Sequence, residues 1–343
     1  MSEQSAPRSQ KVGRGKAEST IALGRDARDI LYRSPDTMTL RQLYYALISA
    51  GAIPKVETQY ARLKTVMRDL REDGTVPWDW LVDHTRPVFE ARTFDSIEGL
   101  LADSANLYRR DLMRQQEVAI QLWAESDSIG SVIARTANRY CISTFIGRGY
   151  SARGYLWDAA KDAVAANRAG KKVHILHVGD FDPSGEDIYR DVEETLRLYA
   201  TTIQWAAGPA FPGTRAGSVA DVRRSLRADA DTYGGTLMEH LRDWTGWLVC
   251  ERLALTAAQV EEYDLPTRPP KASDVRTAGW SGAGAVEVEA LPVAALLEIV
   301  ENAILERIDI AALAIAETAE KSERDIARRI AATPIARLIE ASA

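Results

Sequence analysis

The sequence predicts an α/β protein, with a mostly helical N-terminal domain followed by a doubly wound parallel sheet and a helical C-terminus. Three observations predict it. Apolar runs of strand length, Val118–Ala124, Ile142–Ile146 and Val173–Val178, alternate with helical stretches, which is the pattern of βαβ units. Before them, apolar residues recur at helical spacing. After Leu291 the chain is again mostly helical. The 343 residues are enough for two domains and a sizeable core.

Composition narrows the classes. The chain is 46% hydrophobic and 27% charged, an ordinary globular composition. No apolar run reaches the length of a membrane span. The opening residues MSEQSAPRSQKVGRGK lack the apolar core of a signal peptide, so a cytoplasmic protein is expected. Two cysteines, Cys141 and Cys250, fit a reducing compartment and exclude a disulfide framework or a cysteine-based zinc site. His174 and His177 lie three apart in a strand and point to opposite faces, so a shared metal is not expected. The net charge of −6 excludes a protein coated in positive charge, but nucleic-acid contact needs only a local basic face.

Taken in order, residues 1–20 read as a flexible basic tail carrying Arg8, Lys11, Arg14 and Lys16. Residues 21–92 read as one domain. Ile21–Tyr32 is helical, Thr39 caps a helix over Leu40–Ser49, and a third helix runs from about Glu57 to Glu72, ending at Gly74. That third helix buries Tyr60, Leu63, Met67 and Leu70, and its other face carries Arg62, Lys64, Arg68 and Arg71. Val76–Arg86 follows as a short strand or wing. Helix, basic helix and wing form a winged-helix pattern, in which the basic helix enters the major groove. A solvated helix balanced by Asp69, Glu72 and Asp73 is the plainer reading of the same charges.

Residues 93–116 are expected to be a helical connector, with its helix over Phe94–Gln116. From 117 to 343 the sheet domain begins with strand Val118–Ala124, which ends in Glu125. A helix to about Tyr140 and the strand Ile142–Ile146 lead to a glycine-rich basic loop, Gly147–Gly154, with Arg148 and Arg153. Its backbone can approach a phosphate closely. A helix over Tyr155–Ala169 leads into strand Val173–Val178, and then the loop Gly179-Asp-Phe-Asp-Pro-Ser-Gly185. A helix is expected from Glu186 through Leu198. Residues 205–235, rich in Gly, Pro, Ala and Arg, have no assigned element. Trp247–Leu255 reads as a strand, Thr256 caps a short helix over Ala257–Tyr263, and 266–284 is an irregular loop.

The chemistry concentrates at strand ends. Glu125 follows one strand, and Asp180 and Asp182 follow another, where open α/β sheets place their ligands. Carboxylates held this close repel one another unless a cation sits among them, and Mg²⁺ with oxygen ligands suits them. The plainer reading is a strand-to-helix loop whose acids cap the next helix.

Trp-Ala-Glu125 and Gly-Asp180-Phe-Asp182-Pro-Ser-Gly185 together resemble a Toprim domain, the metal-binding module of topoisomerases, some primases and some nucleases. Thr39-Leu-Arg41-Gln-Leu-Tyr44-Tyr45 resembles the catalytic tyrosine motif of the topoisomerase VI A subunit and the related meiotic double-strand-break protein. The Gly149-Tyr150 loop is also similar, and the order of winged helix and Toprim is the same. The resemblance covers roughly residues 36–310 and is strongest to the reduced bacterial and phage Mini-A form. It implies that Tyr45 forms a phosphotyrosyl link to double-stranded DNA while Glu125, Asp180 and Asp182 hold Mg²⁺. It also implies a homodimer, a bacterial or phage-encoded protein at the nucleoid, and a separate GHKL-type ATPase B subunit for DNA relaxation.

Helical spacing separates the two tyrosines. Leu40, Leu43, Tyr44 and Leu47 share one stripe, so Tyr44 belongs to the core. Arg41, Gln42, Tyr45 and Ser49 share the polar face, so an exposed Tyr45 nucleophile beside the Arg41 guanidinium is expected. Two packing tyrosines are the plainer alternative. Where the resembled family often has lysine after the glutamate, this chain has Ser126 and Asp127. Two other activities remain open on the residues: a metal-dependent nuclease using activated water, and a DNA-binding clamp without catalysis.

Overall fold

The structure is a computed structural model that describes residues 18–34, 37–81, 91, 93–148, 153–207, 218–270, 276–277, 280, 282 and 284–333. The basic tail up to residue 17, most of the expected wing, and Gly149 and Tyr150 lie outside the described residues. The chain divides into two compact units, Met1–Asp83 and His84–Ala343.

The first unit is built on α1 (Glu18–Arg33), α2 (Leu40–Ser49) and α3 (Glu57–Glu72), each packed on the other two. Thr39 starts α2 as expected. Its hydroxyl accepts from the Gln42 backbone N–H, while the Gln42 side chain accepts from the Thr39 N–H. Leu43, Leu47, Leu63, Val66 and Met67 fill the space between the helices. Residues 78–80 form a single 3₁₀ turn where a strand was expected, and Leu81 makes one parallel bridge to Met38.

The second unit carries the sheet. Its strands are β1 (Val118–Ala124), β2 (Ser143–Ile146), β3 (Lys172–Val178) and β4 (Leu248–Ala254), all parallel, in spatial order β2-β1-β3-β4. The helices are α4 (Ile97–Leu107), α5 (Asp127–Arg139), α6 (Arg153–Arg168), α7 (Pro183–Ala207), α8 (Val219–Tyr233), α9 (Leu237–Trp244), α10 (Ala257–Glu262), α11 (Val293–Leu305) and α12 (Ile310–Ala331). The crossover β1-α5-β2 runs one way along the sheet, and β2-α6-β3 and β3-α7-β4 run the other. With right-handed connections that places α5 on one face and α6 and α7 on the other. Helix α11 packs on α5, and α6 packs on α7. Trp123, Val173, Ile175 and Leu248 from the strands meet Leu156, Ala160, Val192 and Leu196 from α6 and α7 in a closed core.

Three expectations are corrected. The connector helix is regular only over Ile97–Leu107, because the next residues turn to α12: the Tyr108 hydroxyl and the Arg110 guanidinium both bond Glu323, at 2.6 and 2.5 Å. Helix α7 begins at Pro183, three residues before Glu186, since proline suits the first helical position and Asp182 caps it. The unassigned stretch contains α8, with Ser218 as its N-cap and Val222 and Leu226 buried against Leu198 and Leu241.

The capping box at Thr39 sets the start of the helix that carries Tyr45. Thr39→Ala should cost about 1 kcal/mol. Amide exchange across Leu40–Ser49 should then speed by about fivefold, while amides of β1 and β3 stay as protected as before. Unchanged exchange in α2 would show that the cap contributes nothing.

Candidate acidic site at the carboxyl edge of the sheet

The pairing of β1 with β3 sets the site. Their register runs from Val118↔Lys172 to Ala124↔Val178, and the ladder continues one step further as the Glu125 N–H donates to the Val178 carbonyl at 3.0 Å. The chain leaves β1 toward β2 and leaves β3 toward β4, so the crevice between these two strand ends is the topological switch point of the sheet. Glu125 and Asp180 stand on its two sides.

The loop closes tightly around them. The Asp180 N–H donates to Glu125 Oε2 at 3.0 Å. A Cβ on Gly179 would come within 2.7 Å of that same oxygen, and one on Gly185 within 2.2 Å of the Asp180 carbonyl. Both glycines are therefore required by close approach. Asp182 Oδ1 accepts from the Gly185 N–H at 2.8 Å and caps α7, the plainer of the two roles its position allowed. From the other side, Phe181 and Val286 exchange two backbone hydrogen bonds, both 2.9 Å, and the Val288 N–H donates to Asp180 Oδ1 at 2.9 Å.

Two functional contributors escaped the sequence reading. Arg252 sits in β4 with its side chain only 9% exposed. Its guanidinium donates to the carbonyls of Asp180, Gly179 (3.4 Å), Gly185 (3.2 Å) and Leu255 (2.9 Å), and pairs with Glu186 at 3.5 Å. It holds the acidic loop by its main chain. Glu289, buried on a 3₁₀ turn over Val288–Ala290, accepts from the Ser128 hydroxyl at 2.5 Å and the Ser126 hydroxyl at 3.4 Å. The signals were a lone arginine inside an apolar strand and acids alternating with Val286 and Val288. Ser126 also caps α5, and Asp127 pairs with Arg148 at 3.0 Å, so both residues found in place of the lysine have local roles.

The charges repel. Burial pushes the Asp180 carboxyl well above its ordinary value of 3.8, and the nearby charges of Glu125 and Glu289 push it the same way. Burial also raises Glu125 above 4.5; the Asp180 N–H works against this and the Asp182 charge adds to it. His177, buried beneath Gly179, is pushed down to about 3 by burial and by Arg252, so it stays neutral.

Among the described residues no three His, Cys, Asp or Glu side chains converge to hold a metal ion by themselves. Mg²⁺ does not need three. It is commonly bound by one or two carboxylates, with waters and substrate phosphate completing the shell. Glu125 and Asp180 form such a pair, all-oxygen, partly buried and mutually repelling, and the donor set fits the ion.

In the first unit the structure corrects the exposure of Tyr45. Tyr45 is 4% exposed, as buried as Tyr44, although Arg41 and Ser49 of the same face reach solvent. The 50–56 segment folds back over the helix, so helical spacing alone misjudged the face. Tyr44 packs edge-on against Tyr45 and Tyr60, its hydroxyl donates to the Val56 carbonyl at 3.1 Å, and Lys55 Nζ lies 5.3 Å from the Tyr45 ring centroid. Several of the basic residues have partners within the chain. Arg62 bonds Ser19, Thr20 and Gln59, and Arg71 donates to the carbonyls of Trp78 and Leu81. Arg68 pairs with Asp69 at 2.9 Å, and Lys64 is exposed. In the second unit Arg153 bonds Asp191 and Thr195.

Raised carboxyl pKa values reverse the usual acid stability. Between the ordinary values and the raised ones the native state holds more protons than the unfolded chain, so stability falls as pH rises through that window. The contribution of these two groups to the stability of metal-free protein should therefore fall as pH climbs from about 4. Asp180→Asn should flatten that slope and raise the melting temperature at neutral pH. Mg²⁺ at ten times its dissociation constant should add about 1.4 kcal/mol to the wild type and little to Asp180→Asn. Equal Mg²⁺ stabilisation of both proteins would remove Asp180 from the site.

Comparison of the chain with protein-family models, with curated proteins and with solved structures gives no match.

Proposed function

We propose that the protein cleaves DNA in a Mg²⁺-dependent reaction of the topoisomerase VI A-subunit type, with winged-helix and Toprim units as the two halves of its machinery. The observation that carries this is the partly buried Glu125–Asp180 carboxyl pair at the sheet's switch point, a place where ligands bind and where a proton or a bound cation relieves the repulsion. Glu125 and Asp180 would hold the Mg²⁺, which would supply positive charge to the reacting phosphate.

The chain's own residues do the rest. The Tyr45 phenol oxygen attacks phosphorus, its proton is lost, and the bond to the leaving sugar oxygen breaks, which conserves one phosphodiester as a phosphotyrosyl link. Lys55 lies over the Tyr45 ring, and Arg41 one helical turn away holds the phosphate. Arg252 and the Val288 N–H fix the acidic loop, and Asp182 anchors it to α7. In this reading a second copy completes a staggered double-strand break, and relaxation draws on a separate ATPase subunit.

The burial of Tyr45 favours one other reading, a nuclease in which the same acids activate water and Tyr45 only packs. One experiment separates them. Supercoiled plasmid is incubated with the protein and Mg²⁺ and then denatured with detergent, with Tyr45→Phe and Asp180→Ala run in parallel. Protein-linked ends that vanish in Tyr45→Phe are expected. Free ends that persist in Tyr45→Phe select the nuclease, and intact plasmid with retained binding selects a non-catalytic clamp.

A further inference from the structure

Helix α8, unassigned from sequence, forms one wall of a groove of about 730 Å³ against α7. Four guanidiniums line it, those of Arg153, Arg223, Arg224 and Arg227, against the single carboxylate of Asp231. Behind them Asp191 holds Arg153 at 3.0 Å, Asp221 reaches Arg224 at 3.2 Å, and Glu194 approaches Arg223 at 3.7 Å. Arg227 is exposed and has no ion pair or hydrogen bond among the described residues, and the Arg223 Nε is buried without a partner. Arg223 and Arg227 are four residues apart, so they sit on the same side of α8 about 6 Å apart along its axis. Thr195 and Tyr199 of α7 form the opposite wall. Thr195 is twelve residues beyond the start of α7, so the groove lies about 18 Å along that helix from the acidic loop. It is a separate place.

Carboxylates of this chain meet three of the four arginines, so what the groove offers a further anion is the unpaired Arg227 and the unpartnered Nε of Arg223, with the exposed Arg224 beside them. Planar guanidiniums in a row match a succession of phosphates better than one compact anion. We propose that the α7–α8 groove binds the phosphate backbone of nucleic acid, with Arg224 and Arg227 as its outer contacts. This is independent of the cleavage reading, since it needs neither Tyr45 nor the acids.

The test is fluorescence anisotropy of the full chain with a labelled 20-base-pair duplex in chelator, across a salt series. Arg224→Gln/Arg227→Gln should weaken binding roughly 60-fold at 0.1 M salt and make the log–log salt slope shallower by about 1.8, two phosphate contacts' worth. Ala228→Glu, which adds a carboxylate to the groove and removes no contact, should weaken binding in the same direction. It keeps the test decisive if the double variant does not fold by circular dichroism. Wild-type affinity and slope in a folded variant would overturn the proposal. So would calorimetric binding of metal-free ATP that the double variant loses while its DNA slope is unchanged, because that outcome assigns the groove to a free nucleotide.

Discussion

The parallel register of β1 against β3 is the constraint on which the acidic site depends. Ala124 opposite Val178 brings Glu125 level with the start of the Gly179–Gly185 loop, and the Glu125 main-chain bond to Val178 fixes that level. A slip of one residue would send alternate side chains to the other face of the sheet. It would also break the hydrogen bond from the Asp180 N–H to Glu125 Oε2. The core enforces the register, because Trp123 and Ile175 must both meet α6 and α7 while Leu122 and Leu176 are buried on the opposite face. The site's geometry is thus held by apolar packing several residues away from it.

Arg252 shows how the loop is held without cancelling its charge. A guanidinium buried beside two carboxylates would ordinarily form an ion pair with one of them. Here it spends its donors on main-chain carbonyls and on the more exposed Glu186. The loop is fixed, and the Glu125–Asp180 pair keeps its mutual repulsion. Had Arg252 bonded the Asp180 carboxylate instead, it would have offset one of the two carboxylates and weakened the site's attraction for an external cation. The same arrangement explains why Glu289 is tied to serine hydroxyls, which are neutral donors, and adds to the negative field.

Much of the sheet unit was legible because its strands are continuous apolar runs between turn residues, and such runs have few alternatives. The acids at the strand ends were legible for the same reason. What escaped depended on contacts between distant residues. Arg252 reaches the Asp180 carbonyl from 72 residues away, and the Val288 N–H, next to Glu289, reaches the Asp180 carboxylate from 108. The end of α4 is set by Glu323 on α12, far along the chain. Tyr45 was misjudged because helical spacing describes one helix in solvent, and the segment carrying Lys55 and Val56 folds back over it. Helix α8 was hidden by a composition rich in Gly, Pro and Ala immediately before it, whereas its own Val222 and Leu226 mark a buried stripe.

The placement of the arginines bears on where a polyanion meets this chain. A basic residue attracts phosphate only to the extent that its charge is not already spent on a neighbouring carboxylate. On α3 the expected basic face is largely committed: Arg62 and Arg71 tie helices and turns together, and Arg68 lies against Asp69. Arg148 and Arg153 answer to Asp127 and Asp191. On α8 Asp221 holds Arg224 and Arg223 has only a distant carboxylate, while Arg227 makes no ion pair among the described residues, although Asp231 lines the same groove. On that measure Arg227 and the unpartnered Nε of Arg223 are what the groove beside α7 has left for a polyanion.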